Sequence, residues 1–298
     1  MAKILSGKEV RDSVAQDLKK KISRLSEKPH LAIIQIGDLS ESNAYIRQKK
    51  LFGARVGAKV THIRLPASIA ESKLISKIKR LNGDKHLHGM IVQMPIPPKL
   101  NKEKVFEAID PRKDVDGLHS QNVKRLWQGK NDGLLAATAK GILTLLKYFK
   151  VPLQGRKAVM VGCSNLVGKP TALALLNEKA TVTIAHRYST NLSRITREGD
   201  IIVVAAGVPN LITRNHVKKG QVVIDVGINI IAGSIKSGKN RKLEDEISAR
   251  KIVGDVDFKA VSKIVKAISP VPGGVGPMTV ASLFLNLMTA YKSLTSKS

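Results

Sequence analysis

The chain has 298 residues, of which 43% are hydrophobic and 3% are aromatic. These values predict a globular protein of about two domains, with cores built mainly from Val, Ile, Leu and Ala. A membrane span needs about 18 consecutive apolar residues, and no such run is present, so we expect no membrane contact. The one cysteine, Cys163, excludes an internal disulfide, and with no signal-peptide pattern at the start of the chain it favours a cytoplasmic location.

The formal net charge of +28 at pH 7 is unusually high. Basic clusters occur at Lys19–Lys21, Lys49–Lys50, Lys77–Arg80 and Lys236–Lys242. Three explanations are open: a nucleic-acid surface, a solvated basic surface, or attraction of polyanionic small substrates. Aromatic residues are not interleaved with the clusters and no known nucleic-acid motif is present, which argues against the first explanation without excluding it.

Apolar spacing predicts alternating helices and strands in the first part of the chain. The predicted helices run from the Ser6–Glu9 capping box to Ile22, over Ser40–Arg55 and over Glu71–Leu81, and the predicted strands are Leu31–Ile36, Val60–Leu65 and Gly89–Met94. A short helical piece follows Leu100, and then a polar turn, Asp110–Gly117. This alternation predicts an α/β fold with a parallel sheet.

The second part of the chain repeats the alternation at shorter intervals. We expect a helix over Thr138–Phe149 and strands at Ala158–Val161, Thr181–Ile184, Ile201–Ala205, Val222–Val226 and around Ile252–Val253. This rhythm is typical of a doubly wound, Rossmann-type dinucleotide-binding domain. The Pro- and Gly-rich segment Ser269–Thr279 is predicted to be irregular, and a final apolar helix is expected over Val280–Leu294.

A candidate phosphate loop follows the strand Ala158–Val161. Gly162 breaks the strand, Ser164 can add a hydroxyl donor, and a helix is expected to begin close to Gly168. A glycine turn that leads into a helix presents backbone N–H groups to a phosphate. Such turns are also common as plain connections, so the nucleotide hypothesis depends on the doubly wound context.

Candidate chemistry lies in the first part of the chain. Tyr45 and Lys49 share a helix face, and Gln93 ends a predicted parallel strand, the edge where α/β sheets bind ligands. Asp114 and Asp116 lie in the polar turn. Each has an ordinary structural alternative: a ring covering a lysine stem, a strand-end amide bonded to a loop, or carboxylates bonded to turn backbone.

Taken in order, these motifs are more informative than any of them singly. They are Tyr45-Ile-Arg-Gln-Lys49, Gly89-Met-Ile-Val-Gln-Met-Pro-Ile-Pro97, Lys113-Asp-Val-Asp-Gly117, Gly162-Cys-Ser-Asn-Leu-Val-Gly-Lys-Pro170, Val222-Val-Ile-Asp-Val-Gly-Ile-Asn229, Gly254-Asp-Val-Asp-Phe258 and Pro270-Val-Pro-Gly-Gly-Val-Gly-Pro-Met-Thr279. The set strongly resembles the bifunctional methylenetetrahydrofolate dehydrogenase/methenyltetrahydrofolate cyclohydrolase family. The similarity covers nearly the whole chain.

The resemblance implies two domains. A folate-binding catalytic domain would span residues 1–137 and be completed by a C-terminal helix, 276–298, while residues 138–275 would form an NADP-binding Rossmann-type domain. The implied activity is oxidation of 5,10-methylenetetrahydrofolate with NADP, followed by hydrolysis of the methenyl product to 10-formyltetrahydrofolate. A homodimer, polyglutamylated tetrahydrofolate substrates, a role in purine biosynthesis and the absence of a metal are also implied.

The resemblance also assigns residues. Lys49 would be the catalytic lysine, with Gln93 as its polar partner, Tyr45 stacked on the folate and Asp116 holding the pterin ring. Pro272 and Gly273 would also contact the substrate. The implied cofactor-binding residues are Gly162, Cys163, Ser164, Gly168, Arg187, Ile228 and Thr279.

The sequence departs from the family pattern in two places. Many members have Arg where Cys163 stands, and that Arg helps to hold the 2′-phosphate of NADP. Arg187, just after the strand Thr181–Ile184, can replace it, with neighbouring His186 as a competitor and a merely solvated charge as the plain alternative. We therefore expect NADP rather than NAD. The family's Pro-Cys-Thr-Pro is here Ala136-Ala-Thr-Ala139, which removes two prolines before a helix.

Overall fold

The computed structural model describes residues 1–130, 132–232 and 250–296. The basic cluster Lys236–Lys242 lies outside the described residues. The chain divides into two compact units. The three-stranded unit comprises Glu9–Gly141 and Met278–Ser298, and the six-stranded unit comprises Met1–Lys8 and Ile142–Pro277. Each is named for its main parallel sheet.

The described strands and helices alternate through most of the chain. The strands are β1 (Lys3–Ile4), β2 (His30–Ile36), β3 (Lys59–Leu65), β4 (Gly89–Val92), β5 (Lys157–Val161), β6 (Thr181–Ala185), β7 (Ile201–Val204), β8 (Val222–Asp225), β9 (Asn229–Ala232), β10 (Arg250–Val253) and β11 (Ala267–Ile268). The helices are α1 (Gly7–Ile22), α2 (Ser40–Val56), α3 (Glu71–Asn82), α4 (Lys102–Glu107), α5 (Ser120–Trp127), α6 (Ala137–Tyr148), α7 (Gly168–Asn177), α8 (Leu192–Glu198), α9 (Phe258–Val261) and α10 (Val275–Thr295). A 3₁₀ turn lies at Arg214–His216.

The sheet of the three-stranded unit has the order β3-β2-β4, with parallel pairing throughout. Every residue of the central strand β2 is buried, as its nearly unbroken apolar sequence predicts for a parallel strand covered on both faces. On one face Ala32 and Ile34 pack with Leu74 and Ile78 of α3. Burying each large aliphatic side chain stabilises the fold by about 1.5–3 kcal/mol. This packing fixes the carboxyl ends of β2 and β4, next to which the candidate residues lie.

The sheet of the six-stranded unit has the order β1-β11-β8-β7-β5-β6, with parallel pairing throughout. The chain moves from β5 outward to β6 and then returns to the other side of β5 at β7. That reversal makes a doubly wound sheet, and it creates a crevice at the carboxyl end of β5, where such folds bind ligands. The predicted doubly wound α/β domain is therefore present.

The strand β1 belongs to the sheet of the six-stranded unit and not to the three-stranded unit. Lys3 pairs with Ala267 and Ile4 with Ile268, so the first eight residues fall in the six-stranded unit. The expectation that residues 1–137 form one N-terminal domain is wrong for this segment. Its parallel partner, β11, lies close to the other end of the sequence, and a two-residue strand has no periodicity that would announce such a pairing.

Two further predictions need correction. The irregular segment expected over Ser269–Thr279 ends early, because α10 begins at Val275. Pro277 is compatible with this start, since the N–H groups of a helix's first turn have no partner in the helix. The sequence also left α5 and α8 undetected, because they are short and largely polar. Among the described helices, none is long and apolar enough to cross a membrane.

Candidate active site

Lys49 and Gln93 meet at the carboxyl edge of the three-stranded sheet. The Nζ atom of Lys49, on α2, donates to Oε1 of Gln93 at 2.7 Å. Gln93 directly follows β4, and its backbone N–H donates to the carbonyl of Ile34 at 2.8 Å. Its Nε2 atom donates to the Met94 carbonyl at 2.8 Å. These two bonds orient the amide so that its oxygen faces the lysine.

The amine of Lys49 lies in an environment that disfavours its charge. Although the residue keeps some exposed surface, burial lowers its pKa, and the negative charge of Asp116 opposes that effect in part. Burial also raises the pKa of Asp116, and the positive charge of Lys49 opposes that effect. A lysine with a lowered pKa can exchange a proton near neutral pH more readily than a fully solvated one.

Asp114 and Asp116 make different contacts within one turn. Asp114 is buried, and its carboxylate accepts from Gly117 N at 3.1 Å, His119 N at 2.8 Å and Asn122 Nδ2 at 3.0 Å. Burial raises the pKa of Asp114 to about 6. It therefore performs the structural task that the sequence offered as the alternative for both residues.

The Asp116 carboxylate, in contrast, accepts no hydrogen bond from any residue that the structure describes. Its backbone is fixed, since Asp116 O accepts from Ala137 N at 3.1 Å. Gly117 next to it has a φ of +72°, and a Cβ there would collide with Leu135 and Ala136. The turn thus presents a half-buried acceptor whose lone pairs are available to a ligand with N–H donors.

Tyr45 lies one helical turn before Lys49 on α2, so the two share a face. It is 46% exposed. An exposed aromatic ring on the helix face that carries Lys49 can cover the flat face of a heteroaromatic ligand. Tyr45, Lys49, Gln93 and Asp116, predicted separately from the sequence, thus all lie in the three-stranded unit.

The loop between β5 and α7 approaches neighbouring backbone closely. Gly162 has a φ of +114°, and a Cβ at this position would collide with the carbonyl of Ala205. A Cβ on Gly168 would collide with the backbone of Gly162. Both glycines are therefore required by space, and they bring the loop to the doubly wound sheet's crevice.

The polar side chains of this loop differ in their availability. The hydroxyl oxygen of Ser164 accepts from Val167 N at 3.2 Å and from Gly168 N at 3.3 Å, so it organises the loop and keeps its own proton for donation. Cys163 is exposed with a free thiol. A thiol is a weak donor without charge and is a poor partner for a phosphate.

Arg187 follows β6 on the exposed surface. Its Nη2 atom donates to the hydroxyl of Tyr188 at 2.7 Å, and its guanidinium lies 4.7 Å from the centre of that ring. His186 has Nδ1 engaged by Tyr188 N at 3.2 Å. The exposed guanidinium of Arg187 therefore keeps N–H donors for a ligand. In His186, by contrast, Nδ1 already accepts a hydrogen bond from the backbone of the same turn.

Two buried aspartates were quoted in the sequence motifs without a role. Asp225 accepts from the backbone N–H groups of Gly227, Asp255 and Val256 at 2.9–3.0 Å, and burial raises its pKa to about 6. Asp255 accepts from Ala206 N at 2.6 Å, Gly207 N at 2.8 Å and Asn229 Nδ2 at 2.8 Å. The Asp-x-Gly and Gly-Asp-x-Asp patterns thus fix the loops at the carboxyl edge of the six-stranded sheet.

The remaining candidates fall in both units. Ile228 is 52% exposed and follows β8 at the carboxyl edge. Pro272 and Gly273 belong to the six-stranded unit, where the carbonyl of Gly273 accepts from Gly7 N at 2.9 Å. Thr279 lies on α10 in the three-stranded unit. No group of three or more metal-binding side chains is found among the described residues.

Comparison with protein families matches both parts of the chain. The model for the tetrahydrofolate dehydrogenase/cyclohydrolase catalytic domain matches residues 5–116. The model for the tetrahydrofolate dehydrogenase/cyclohydrolase NAD(P)-binding domain matches residues 136–295. Among curated proteins, the bifunctional protein FolD of Exiguobacterium sibiricum is 42% identical over 295 residues, which cover 98% of this chain and 100% of that protein.

Solved structures are also similar over the full length. The bifunctional FolD methylenetetrahydrofolate dehydrogenase/cyclohydrolase from Campylobacter jejuni is 39% identical with a TM-score of 0.89, covering 98% of this chain and 100% of that one. The Trypanosoma brucei methylenetetrahydrofolate dehydrogenase-cyclohydrolase, solved with NADP and an inhibitor, is 32% identical with a TM-score of 0.89 and covers 98% of each chain.

Proposed function

The chain belongs to the tetrahydrofolate dehydrogenase/cyclohydrolase family, and we propose that Lys49, Gln93 and Asp116 carry its chemistry. It is a bifunctional enzyme of folate one-carbon metabolism. It oxidises 5,10-methylenetetrahydrofolate with NADP and hydrolyses the 5,10-methenyl product to 10-formyltetrahydrofolate. The observation that carries the assignment is the Lys49–Gln93 hydrogen bond of 2.7 Å in the same unit as Asp116, whose carboxylate accepts no hydrogen bond from the described residues. None of these likenesses supports the alternative of nucleic-acid binding.

The dehydrogenase step depends mainly on positioning. NADP, when bound, supplies the hydride acceptor, and hydride transfer requires two carbon atoms to be held in register. Asp116 would accept hydrogen bonds from the pterin ring, and the ring of Tyr45 would cover its face. The glycine loop from Gly162 to Gly168 leads into the N-terminus of α7, where backbone N–H groups would bind the phosphates of a dinucleotide.

The cyclohydrolase step needs a group that moves protons. Water adds to the cationic methenyl carbon while the neutral amine of Lys49 accepts a proton from it. Breaking the bond from this carbon to N5 leaves the formyl group on N10, and N5 takes up a proton that the Lys49 ammonium can return. The hydroxyl proton is released as the formyl group forms. Gln93 holds the amine in place throughout.

We assign the 2′-phosphate of NADP to Arg187. Its guanidinium is exposed at the end of the second strand of the doubly wound sheet, the region where this ribose lies in such folds. A guanidinium can bind a phosphate through two parallel hydrogen bonds, whereas the thiol of Cys163 cannot.

We further propose a homodimer that forms through the antiparallel strand pair β9 and β10. Ile230 and Ile252 lie directly opposite each other in this pair and are 55% and 44% exposed. An exposed cross-strand pair of large aliphatic residues is a favourable contact for a second copy. Light scattering of Ile252→Lys protein should show a shift from dimer to monomer, while unchanged mass would count against this interface.

We also propose a polyglutamylated substrate, a cytoplasmic location and a role in purine biosynthesis. A net charge of +28 favours polyglutamylated folates, which carry several carboxylates. The free, exposed thiol of Cys163 fits a reducing cytoplasm. The product carries a formyl group ready for transfer, which suits a supply role in purine biosynthesis.

The decisive experiment follows both reactions by absorbance in purified protein. Methylenetetrahydrofolate with NADP should give the methenyl product, and added methenyltetrahydrofolate should be hydrolysed to the formyl compound. NAD in place of NADP should give slower oxidation. Failure of either reaction with intact folded protein would contradict the assignment of that step.

A further inference from the structure

Asn286 is a completely buried asparagine in the middle of the apolar helix α10. Its Nδ2 atom donates to the carbonyl of Val115 at 2.8 Å and to the carbonyl of Leu135 at 2.7 Å. Its Oδ1 atom accepts from Nζ of Lys140 at 2.7 Å. Both ends of the amide are therefore in use. A buried amide with this many partners is costly to replace by an apolar residue of similar size.

The two carbonyls belong to the segments that meet at Asp116. Val115 directly precedes Asp116, and Leu135 lies just before Ala137, whose N–H donates to Asp116 O at 3.1 Å. On the other side, Gly117 N is held by the carboxylate of Asp114 at 3.1 Å. The peptide groups around Asp116 are thus fixed from three directions, while its own carboxylate stays available.

Lys140 strengthens this arrangement. It is a largely buried residue of α6, and burial lowers its pKa to about 8, so most of it is protonated at neutral pH. A cationic donor polarises the amide that accepts its hydrogen bond and makes the Nδ2 hydrogens better donors. The family's two prolines are absent from residues 136–139, and the bond to Leu135 holds the same stretch of backbone.

We propose that Asn286, supported by Lys140, is a positioning residue that holds the Asp116 turn in the geometry required to bind folate. The inference rests on the role proposed above for Asp116. Asn286 does not touch the substrate; it acts through the Val115 carbonyl and the backbone of the Asp116 turn. Its loss should weaken folate binding in both reactions, because both reactions use Asp116.

The test compares the Asn286→Asp variant with the wild-type enzyme. The aspartate has nearly the same shape and still accepts from Lys140, but it replaces the two N–H donors by an oxygen that faces two carbonyls. We expect the KM for both folate substrates to rise about tenfold or more, with the KM for NADP unchanged. Ser282→Ala is the matched control, since Ser282 is buried on the same helix and its hydroxyl bonds to no described residue; its kinetics should match the wild type.

A double-variant cycle separates positioning from simple stability. Asp116→Ala combined with Asn286→Asp should have the same folate KM as Asp116→Ala alone, because the positioned group is already absent. Independent, multiplying losses would overturn the proposal, as would an Asn286→Asp enzyme with a lower melting temperature but wild-type KM values. If Asp116→Ala itself leaves folate KM unchanged, the failure lies in the proposed role of Asp116.

Lys140→Gln keeps the proposal testable if Asn286→Asp does not fold. This variant removes the cation and leaves both Asn286–carbonyl bonds possible. We expect a folate KM raised about two- to fivefold with kcat nearly unchanged, the scale of a lost charge-assisted contribution. A folate KM equal to that of the wild type would remove Lys140 from the arrangement and overturn the proposal.

Discussion

The amine of Lys49 and the amide oxygen of Gln93 lie 2.7 Å apart, joined by a hydrogen bond between α2 and the end of β4. The backbone N–H of Gln93 donates to the carbonyl of Ile34 in β2. The Lys49–Gln93 bond therefore holds the amine, whose pKa is lowered by burial, in a fixed position relative to the sheet. A proton-transfer group held in this way loses little freedom when substrate binds.

Lys49→Met should abolish the cyclohydrolase step while folate and cofactor binding remain measurable. The substitution removes the proton-transfer group but keeps a long side chain, and such groups contribute typically about 10²–10⁴-fold in rate. Conversion of methenyl- to formyltetrahydrofolate measures the effect. Lys50→Met, at an exposed neighbouring lysine, is the control and should retain activity. Persistent hydrolysis by Lys49→Met would exclude the role given to Lys49.

Asp116→Asn should move the pH dependence of the cyclohydrolase reaction to lower pH. The negative charge of Asp116 favours the ammonium form of Lys49 and so raises its pKa against the effect of burial. Without that charge the pKa of Lys49 falls further, and the neutral amine is populated at lower pH. The measurement is kcat against pH at saturating methenyltetrahydrofolate. Asp17→Asn, at an exposed site on α1, should leave the profile unmoved, and a shift to higher pH in Asp116→Asn would contradict the argument.

Arg187→Ala should raise the KM for NADP by about ten- to a hundredfold, the range expected for losing hydrogen bonds to a charged group. The KM for NAD, which lacks the 2′-phosphate, should barely change. Arg194→Ala serves as the control, because Arg194 is an exposed arginine on α8 that pairs with Glu198. Equal changes for both cofactors, or none, would place the phosphate elsewhere.

Polyglutamylated folate should bind less tightly as salt rises, and monoglutamylated folate should be less sensitive. Interactions between exposed charges are screened beyond about 8 Å at physiological ionic strength, and the polyglutamate tail offers more charge to a chain of net charge +28. KM values for both forms, measured across a salt series, decide the matter. Identical salt dependence for the two folates would mean that the excess positive charge does not bind the polyglutamate tail.

The longer strands could be predicted because their signals are local, and the sites proposed for Lys49 and Gln93 follow from equally local patterns. The apolar run of β2 indicates burial by itself, and Gln93 is located by the strand that it ends. The different contacts of Asp114 and Asp116 could not be predicted from the turn, because both carboxylates can bond to turn backbone. Only the fold shows that Gly117 N and His119 N are used by Asp114.

The position of Asn286 in the sequence already indicates a buried polar contact. An asparagine inside the apolar sequence Leu283-Phe-Leu-Asn-Leu287 is costly unless its amide finds partners, so its position alone indicated a buried polar contact. The identity of the partners could not be predicted, since Val115 and Leu135 are far away in sequence and contribute only backbone carbonyls.

The pairing of β1 with β11 has a consequence for how the polypeptide is made. Residues 3–4 are synthesised long before their strand neighbours at 267–268, so β1 has no partner strand until β11 has been made. The three-stranded unit likewise waits for residues 278–298. Neither unit is a single continuous stretch of the chain, so a truncation before residue 267 leaves both incomplete, and neither can be excised as one fragment with all its parts.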